Sequence, residues 1–166
     1  MIVPFLVFGS FLVLVVLLGY IKESEARHQV NQIKQRFSDR VLLQVLGAKS
    51  ATFSSGAKGA GVHFSTCDLF ITSDAWIVIG YSKIFSFTTF ASPVVLSTNH
   101  LTCHCLRPFA IVAPPKKINI RSFDAEIYIE FTRPTWITTT IEFRLKGISE
   151  DDKLKMEALL PTNIVI

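Results

Sequence analysis

Hydrophobic positions along the chain fall into distinct textures, and each predicts a different element. The first is continuous. From Ile2 to Ile21 the chain reads IVPFLVFGSFLVLVVLLGYI without a charged side chain. Twenty helical residues rise about 30 Å, the thickness of a bilayer's hydrocarbon core, so residues 1–21 are expected to form one transmembrane helix. Pro4 falls in the first turn, where its missing N–H costs little, and Tyr20 suits the headgroup level at the far end. A cleaved signal would want a basic leader and a small-x-small site, and the sequence offers neither.

The second texture is polar with a thin stripe. Residues 22–39, KESEARHQVNQIKQRFSD, lack Gly and Pro and are rich in helix formers, with Val30, Ile33 and Phe37 at helical spacing. Three apolar residues are too few for a coiled coil, so this segment reads as a solvated, juxtamembrane helical stalk.

The third texture is β. Val41–Leu46, Val62–Thr72, Ala75–Tyr81, Ile84–Phe90 and Val94–Ser97 are short apolar or alternating runs. Lys49–Gly61 and Thr98–Pro115 read as irregular connections. The cleanest alternation follows, with Ile118 and Ile120, then Ile127, Ile129 and Phe131, then Ile137 through Leu145 at every second position. That pattern predicts an antiparallel meander with one wet face. Ser149 then opens a short helix as N-cap, with Leu154, Met156, Leu159 and Leu160 as its apolar side and Pro161 as its stop. The expected organisation is a transmembrane helix (1–21), a stalk (22–39), a β-rich domain (40–161) and a tail (162–166).

Composition changes this picture only in part. The chain has 166 residues, 17 basic and 13 acidic, for a net charge of +4. All the charges lie after residue 21, which restores an ordinary density there and excludes a disordered or collagen-like chain. Three cysteines in no regular spacing exclude a disulfide scaffold. Lys22, Arg27, Lys34 and Arg36 follow the apolar run, so the C-terminal domain is expected on the cytoplasmic side of the cell membrane with the N-terminus outside. The same four residues are candidates to meet anionic headgroups. The basic residues are otherwise scattered, which gives nucleic acid no binding stripe.

The hairpin LFITSDAWIVIG (residues 69–80), the stretch FASPVVL (90–96) and the passage TTTIEFRLKGISEDDKLKMEALL (138–160) carry a resemblance. In meander order with a closing helix they resemble the pleckstrin-homology-like superfold, including GRAM-type domains, over residues 41–161. The resemblance implies a bent antiparallel barrel of about seven strands, an α+β domain with a C-terminal helix plugging one open end. It also directs attention to the loop between the first two strands, where Lys49 and Lys58 fall, with Lys83 nearby as a third candidate ligand-binding residue. The basic motif of inositol-lipid binders on the second strand has no counterpart here, since Val62–Thr72 holds no Lys or Arg.

Catalytic and metal patterns are thin. Gly56–Gly61 lacks the spacing of a phosphate-binding loop, and Ser55-x-x-Lys58 lacks the partner motifs of penicillin-recognising enzymes. His100, Cys103, His104 and Cys105 are ligand types, with His63 and Cys67 the nearest reinforcements, but there is no second pair at zinc spacing. Glu126, Glu130 and Glu142 fall where alternation predicts solvent. The expectation is a membrane-anchored, non-enzymatic binding or scaffolding module without cofactor or metal, its partner a protein or a lipid headgroup. The second expectation is a small barrel holding an apolar ligand or lipid inside.

Overall fold

The computed structural model describes residues 3–55, 62–84, 87–99, 106, 109–122, 126–133 and 138–160, with the side chains of residues 3–16, 18, 22, 84 and 87 left aside. One helix, α1 (Val3–Phe37), runs without a break through 35 residues and ends in a single 3-10 turn at Ser38–Arg40. At about 1.5 Å per residue it is roughly 52 Å long. Among the described residues, no helix is long and apolar enough to cross a membrane. The expected transmembrane run at residues 1–21 lies largely on side chains outside that description.

Nine strands follow among the described residues: β1 (Leu43–Ser55), β2 (Thr66–Ile71), β3 (Trp76–Ile84), β4 (Phe87–Phe90), β5 (Val94–Leu96), β6 (Ile111–Ala113), β7 (Pro115–Asn119), β8 (Ile127–Arg133) and β9 (Thr139–Lys146). They form one sheet in the order β6-β5-β3-β2-β1-β9-β8-β7, with β4 paired to β3. The two ends of that path are joined in sequence by Pro114 alone, and β6 touches β8, so the sheet curls into a nearly closed barrel. The closing helix α2 (Glu150–Ala158) packs on β1.

β1 makes the curl possible. Its first half pairs with β2 and its second half with β9. Between them the register slips at a bulge around Gly47, whose φ of 69° is a left-handed conformation that glycine adopts without a Cβ penalty. The bulge turns one strand through the corner between the two halves of the barrel.

The interior is filled by side chains. Leu69, Val78, Phe131, Ile141 and Phe143 have no exposed surface, and the Phe143 ring sits 5.2 Å from that of Phe131 and 5.1 Å from that of Phe64. Gly80 leaves the space that Phe64 occupies: a Cβ there would lie 2.1 Å from the Phe64 ring. At the barrel end, Met156 of α2 is buried, with Leu159 and Leu160 packed against the same core. Ser149 caps α2 by accepting from the Asp152 backbone N–H, as the sequence predicts.

Several boundaries differ from the sequence reading. β1 continues through Lys49–Ser55, which Gly and Ser content had marked as loop, because β9 offers it a pairing partner. Ile84–Phe90 is not one strand; β3 ends at Ile84, which pairs with Phe87 across a hairpin. The segment 98–115 contributes β6, parallel to β5. Leu154 is 52% exposed, and Lys153, paired with Glu150 at 2.6 Å, takes a buried place instead. Glu126 is also buried rather than solvated, in an ion pair with Lys146.

Candidate functional site

The site is built where α1 meets the sheet. Val30, Ile33 and Phe37 recur at three- and four-residue spacing, which places them on one helix face. They are buried against the outer side of β2, β3 and β5, with Phe70, Ala75, Ile77, Ile79, Val95 and Leu106. The segment expected to be a solvated stalk is therefore a docked helix from Arg27 onward. A thin stripe suffices because the sheet supplies the other half of the contact.

Below the contact lies a groove of about 290 Å³, lined by Ile33, Phe37, Val41, Phe70, Ile77 and Ile79 together with Lys34, Ser38 and Gln44. Lys34 lies 3.9 Å from a carboxylate oxygen of Asp68 and 5.6 Å from the Phe70 ring centre. The groove is thus apolar along its length with a paired cation at its side. Leu42 and Leu46, both more than half exposed, occupy the start of β1 and the residue before it.

Asp68 ties four elements together. One carboxylate oxygen accepts from the Gly47 backbone N–H at 3.1 Å and from the Tyr81 hydroxyl at 3.3 Å, while the other faces Lys34. It joins the β1 bulge, β2, β3 and α1. Its signal in the sequence is the break in alternation that it makes in an apolar strand. The same charge, after burial, pushes the neighbouring groups upward: the Tyr81 hydroxyl is raised, and the Cys67 thiol is raised to about 12. Cys67 is a buried thiol in the interior cluster, while His63 is exposed.

Of the three lysines singled out as ligand-binding candidates, Lys49 and Lys83 are described. Lys49 pairs in register with Thr66, and Thr66 with Tyr81, so Lys49 and Lys83 share the outer face two strands and two residues apart. Strand spacing puts that separation at about 12 Å. Lys58 lies outside the described residues. Of the four basic residues expected at the headgroups, Arg27, Lys34 and Arg36 have described side chains. Arg27 pairs with Glu23 at 2.8 Å and lies over the Phe90 ring, and Lys34 is held by Asp68. Arg36 has a partner of its own, and the Lys22 side chain is outside the description.

On the opposite side of the barrel, Glu130 is lowered first by its hydrogen bond from Lys116, and Tyr128, which donates to it at 3.0 Å, is raised to about 12 by burial and that bond. These are ladders of paired charge on a wet face. Inside the barrel, Ser50 Oγ, Thr52 Oγ1 and the Trp76 indole N–H are buried without a hydrogen-bond partner. Among the described residues, no three His, Cys, Asp or Glu side chains gather as metal ligands. His100, Cys103, His104 and Cys105 lie outside them.

No protein-family model, curated protein or solved structure matches the chain.

Proposed function

We propose that this chain is a single-pass, membrane-anchored, non-enzymatic binding module, its pleckstrin-homology-like barrel presented on the cytoplasmic side of the cell membrane. The observation that carries the reading is α1. Its first half holds uncharged residues 3–21, and its second half is packed into the β domain through Val30, Ile33 and Phe37. An apolar rod and a folded head joined in one helix is what a tethered recognition unit requires. The meander order and the helix at the barrel end support the superfold reading. The Lys and Arg excess after residue 21 supports the orientation.

Alkaline carbonate treatment of membranes holding the intact chain, followed by protease from each side, tests this. Retention in the membrane with the barrel cleaved only from the cytoplasmic side is expected. A chain that washes off, or a barrel cleaved from outside, overturns it.

A second reading is favoured by a specific feature. The groove under α1, near the lower bound of small-molecule sites, suits an apolar ligand better than the filled barrel interior does. Native mass spectrometry of the full chain released from detergent reads it. A retained lipid that Ile77→Trp displaces supports the groove, and a ligand-free chain refutes it.

A further inference from the structure

β1 presents its two faces by alternation. Leu43 and Val45 belong to the interior cluster, so Leu42, Gln44 and Leu46 stand on the outer side, the side of α1. Gln44 is the register partner of Phe70, and Phe70 of Ile77, so one row across three strands floors the groove under α1. The next row on the same face carries Asp68 and its partner Ile79. Lys34 reaches both rows, at 3.9 Å from an Asp68 oxygen and 5.6 Å from the Phe70 ring centre. Ile33 and Phe37 of α1 form the facing wall.

Size and charge specify what fits. The groove's 290 Å³ takes on the order of ten heavy atoms, at the roughly 30 Å³ that a water occupies in the liquid. That is one unbranched chain and not two. Leu42 and Leu46, 57% and 63% exposed, carry the apolar floor outward on either side of Gln44, so a longer chain stays on apolar surface. Of the residues lining the groove, Lys34 alone is charged. Its ammonium stands too far from Asp68 for a hydrogen bond, and among the described residues Nζ makes none. Asp68 is held independently by the Gly47 N–H and the Tyr81 hydroxyl. An ammonium has three donors, so Lys34 can bind a second anion on its solvent side and keep Asp68 beside it. Gln44 brings an amide to the same row.

We propose that the groove under α1 takes a single-chain carboxylate, a fatty-acid-type ligand, with its chain on Phe37, Phe70 and Ile77 and its head on Lys34 and the Gln44 amide. This rests on the groove reading above and names the ligand's chemistry.

The test uses the full chain in phosphatidylcholine vesicles with two probes, decanoic acid and decanol, each carrying a diazirine at the far end of its chain. Irradiation fixes the bound probe, and peptide mass spectrometry reads the labelled residues. Each variant is compared with the parent for the same probe, which cancels partitioning into the bilayer. The acid is expected to label Phe37, Phe70, Ile77 or Ile79. In Lys34→Met that labelling should fall about tenfold, through loss of a hydrogen bond to a charged group. Lys34→Arg should restore it, with decanol labelling the same in all three chains. Excess unlabelled decanoic acid should remove the label; a label that persists marks unspecific capture and overturns the site. If Lys34→Met leaves acid labelling intact, or lowers both probes alike, the role of the head is overturned while the groove reading stands. Absence of groove labelling by either probe overturns the two together.

Discussion

β3 and β9 are both central to the barrel, yet their residues are patterned differently. In β3, Trp76, Ile77, Val78 and Ile79 are all buried; in β9, Thr139, Ile141, Phe143 and Leu145 are buried and their neighbours are not. The difference is the number of layers. β9 has the core on one side and water on the other, which produces strict alternation. β3 has the core on one side and α1 on the other, so both faces are apolar. An unbroken apolar strand in an antiparallel meander is evidence of a second layer, and here the layer comes from a segment that looks too polar to provide one.

Breaking the shared interior should have the largest effect. Phe143→Ala removes a ring that touches both Phe131 and Phe64, and truncation of a buried Phe costs about 3–5 kcal/mol. Urea unfolding of the full chain should show a lower midpoint for the whole domain, with β3 and β9 amides losing exchange protection together.

Breaking the outer layer should separate the two strands. Ile33 is 1% exposed in the helix contact, and Ile33→Ala is expected to cost about 2–4 kcal/mol there. Hydrogen exchange should rise across residues 27–37 and along the outer side of β3, with β8 and β9 unchanged. Equal loss in β9 would show that the layers do not separate.

These two layers were unequally legible. β7, β8 and β9 could be read directly, because alternation is local and each residue's neighbour reports its face. The docking of α1 could not. Val30, Ile33 and Phe37 form a weak stripe on their own, and the partner face at Phe70, Ile77 and Ile79 lies far along the chain. Its trace was the lack of alternation in AWIVIG. Glu126 and Leu154 were misplaced for local reasons: Glu126 precedes β8, where no earlier strand residue fixes the register, and α2 is too short for its helical phase to settle the place of Leu154. The groove was invisible in the sequence, since it is a gap between distant elements.

A pH series sharpens the comparison from the β2 side. Cys67 faces the interior beneath the two-layered half, and burial, with the Asp68 charge second, pushes its thiol from 9.0 to about 12. In the unfolded chain the thiol loses its proton near the ordinary value; in the folded chain it keeps it. The folded state therefore binds more protons between those values, and stability should fall as pH rises from about 9 to about 12. Cys67→Ala should flatten that decline in urea midpoints, leaving the part due to Tyr81 and Tyr128, which are raised in the same direction.

The smallest effect is expected from the polar link between layers. Lys34 and Asp68 stand 3.9 Å apart with the lysine 45% exposed, and such pairs contribute about 0–1 kcal/mol. Lys34→Met keeps the apolar stem, so its midpoint should stay within that range of the parent. A larger loss would mean that charge, rather than the Val30, Ile33 and Phe37 contact, holds α1 down.

The seating of α1 on β2, β3 and β5 also limits how the head can turn. A barrel hung from a loose tether tumbles and offers every side to its surroundings; one clamped along its own rod keeps a constant tilt and spins only about the rod's axis.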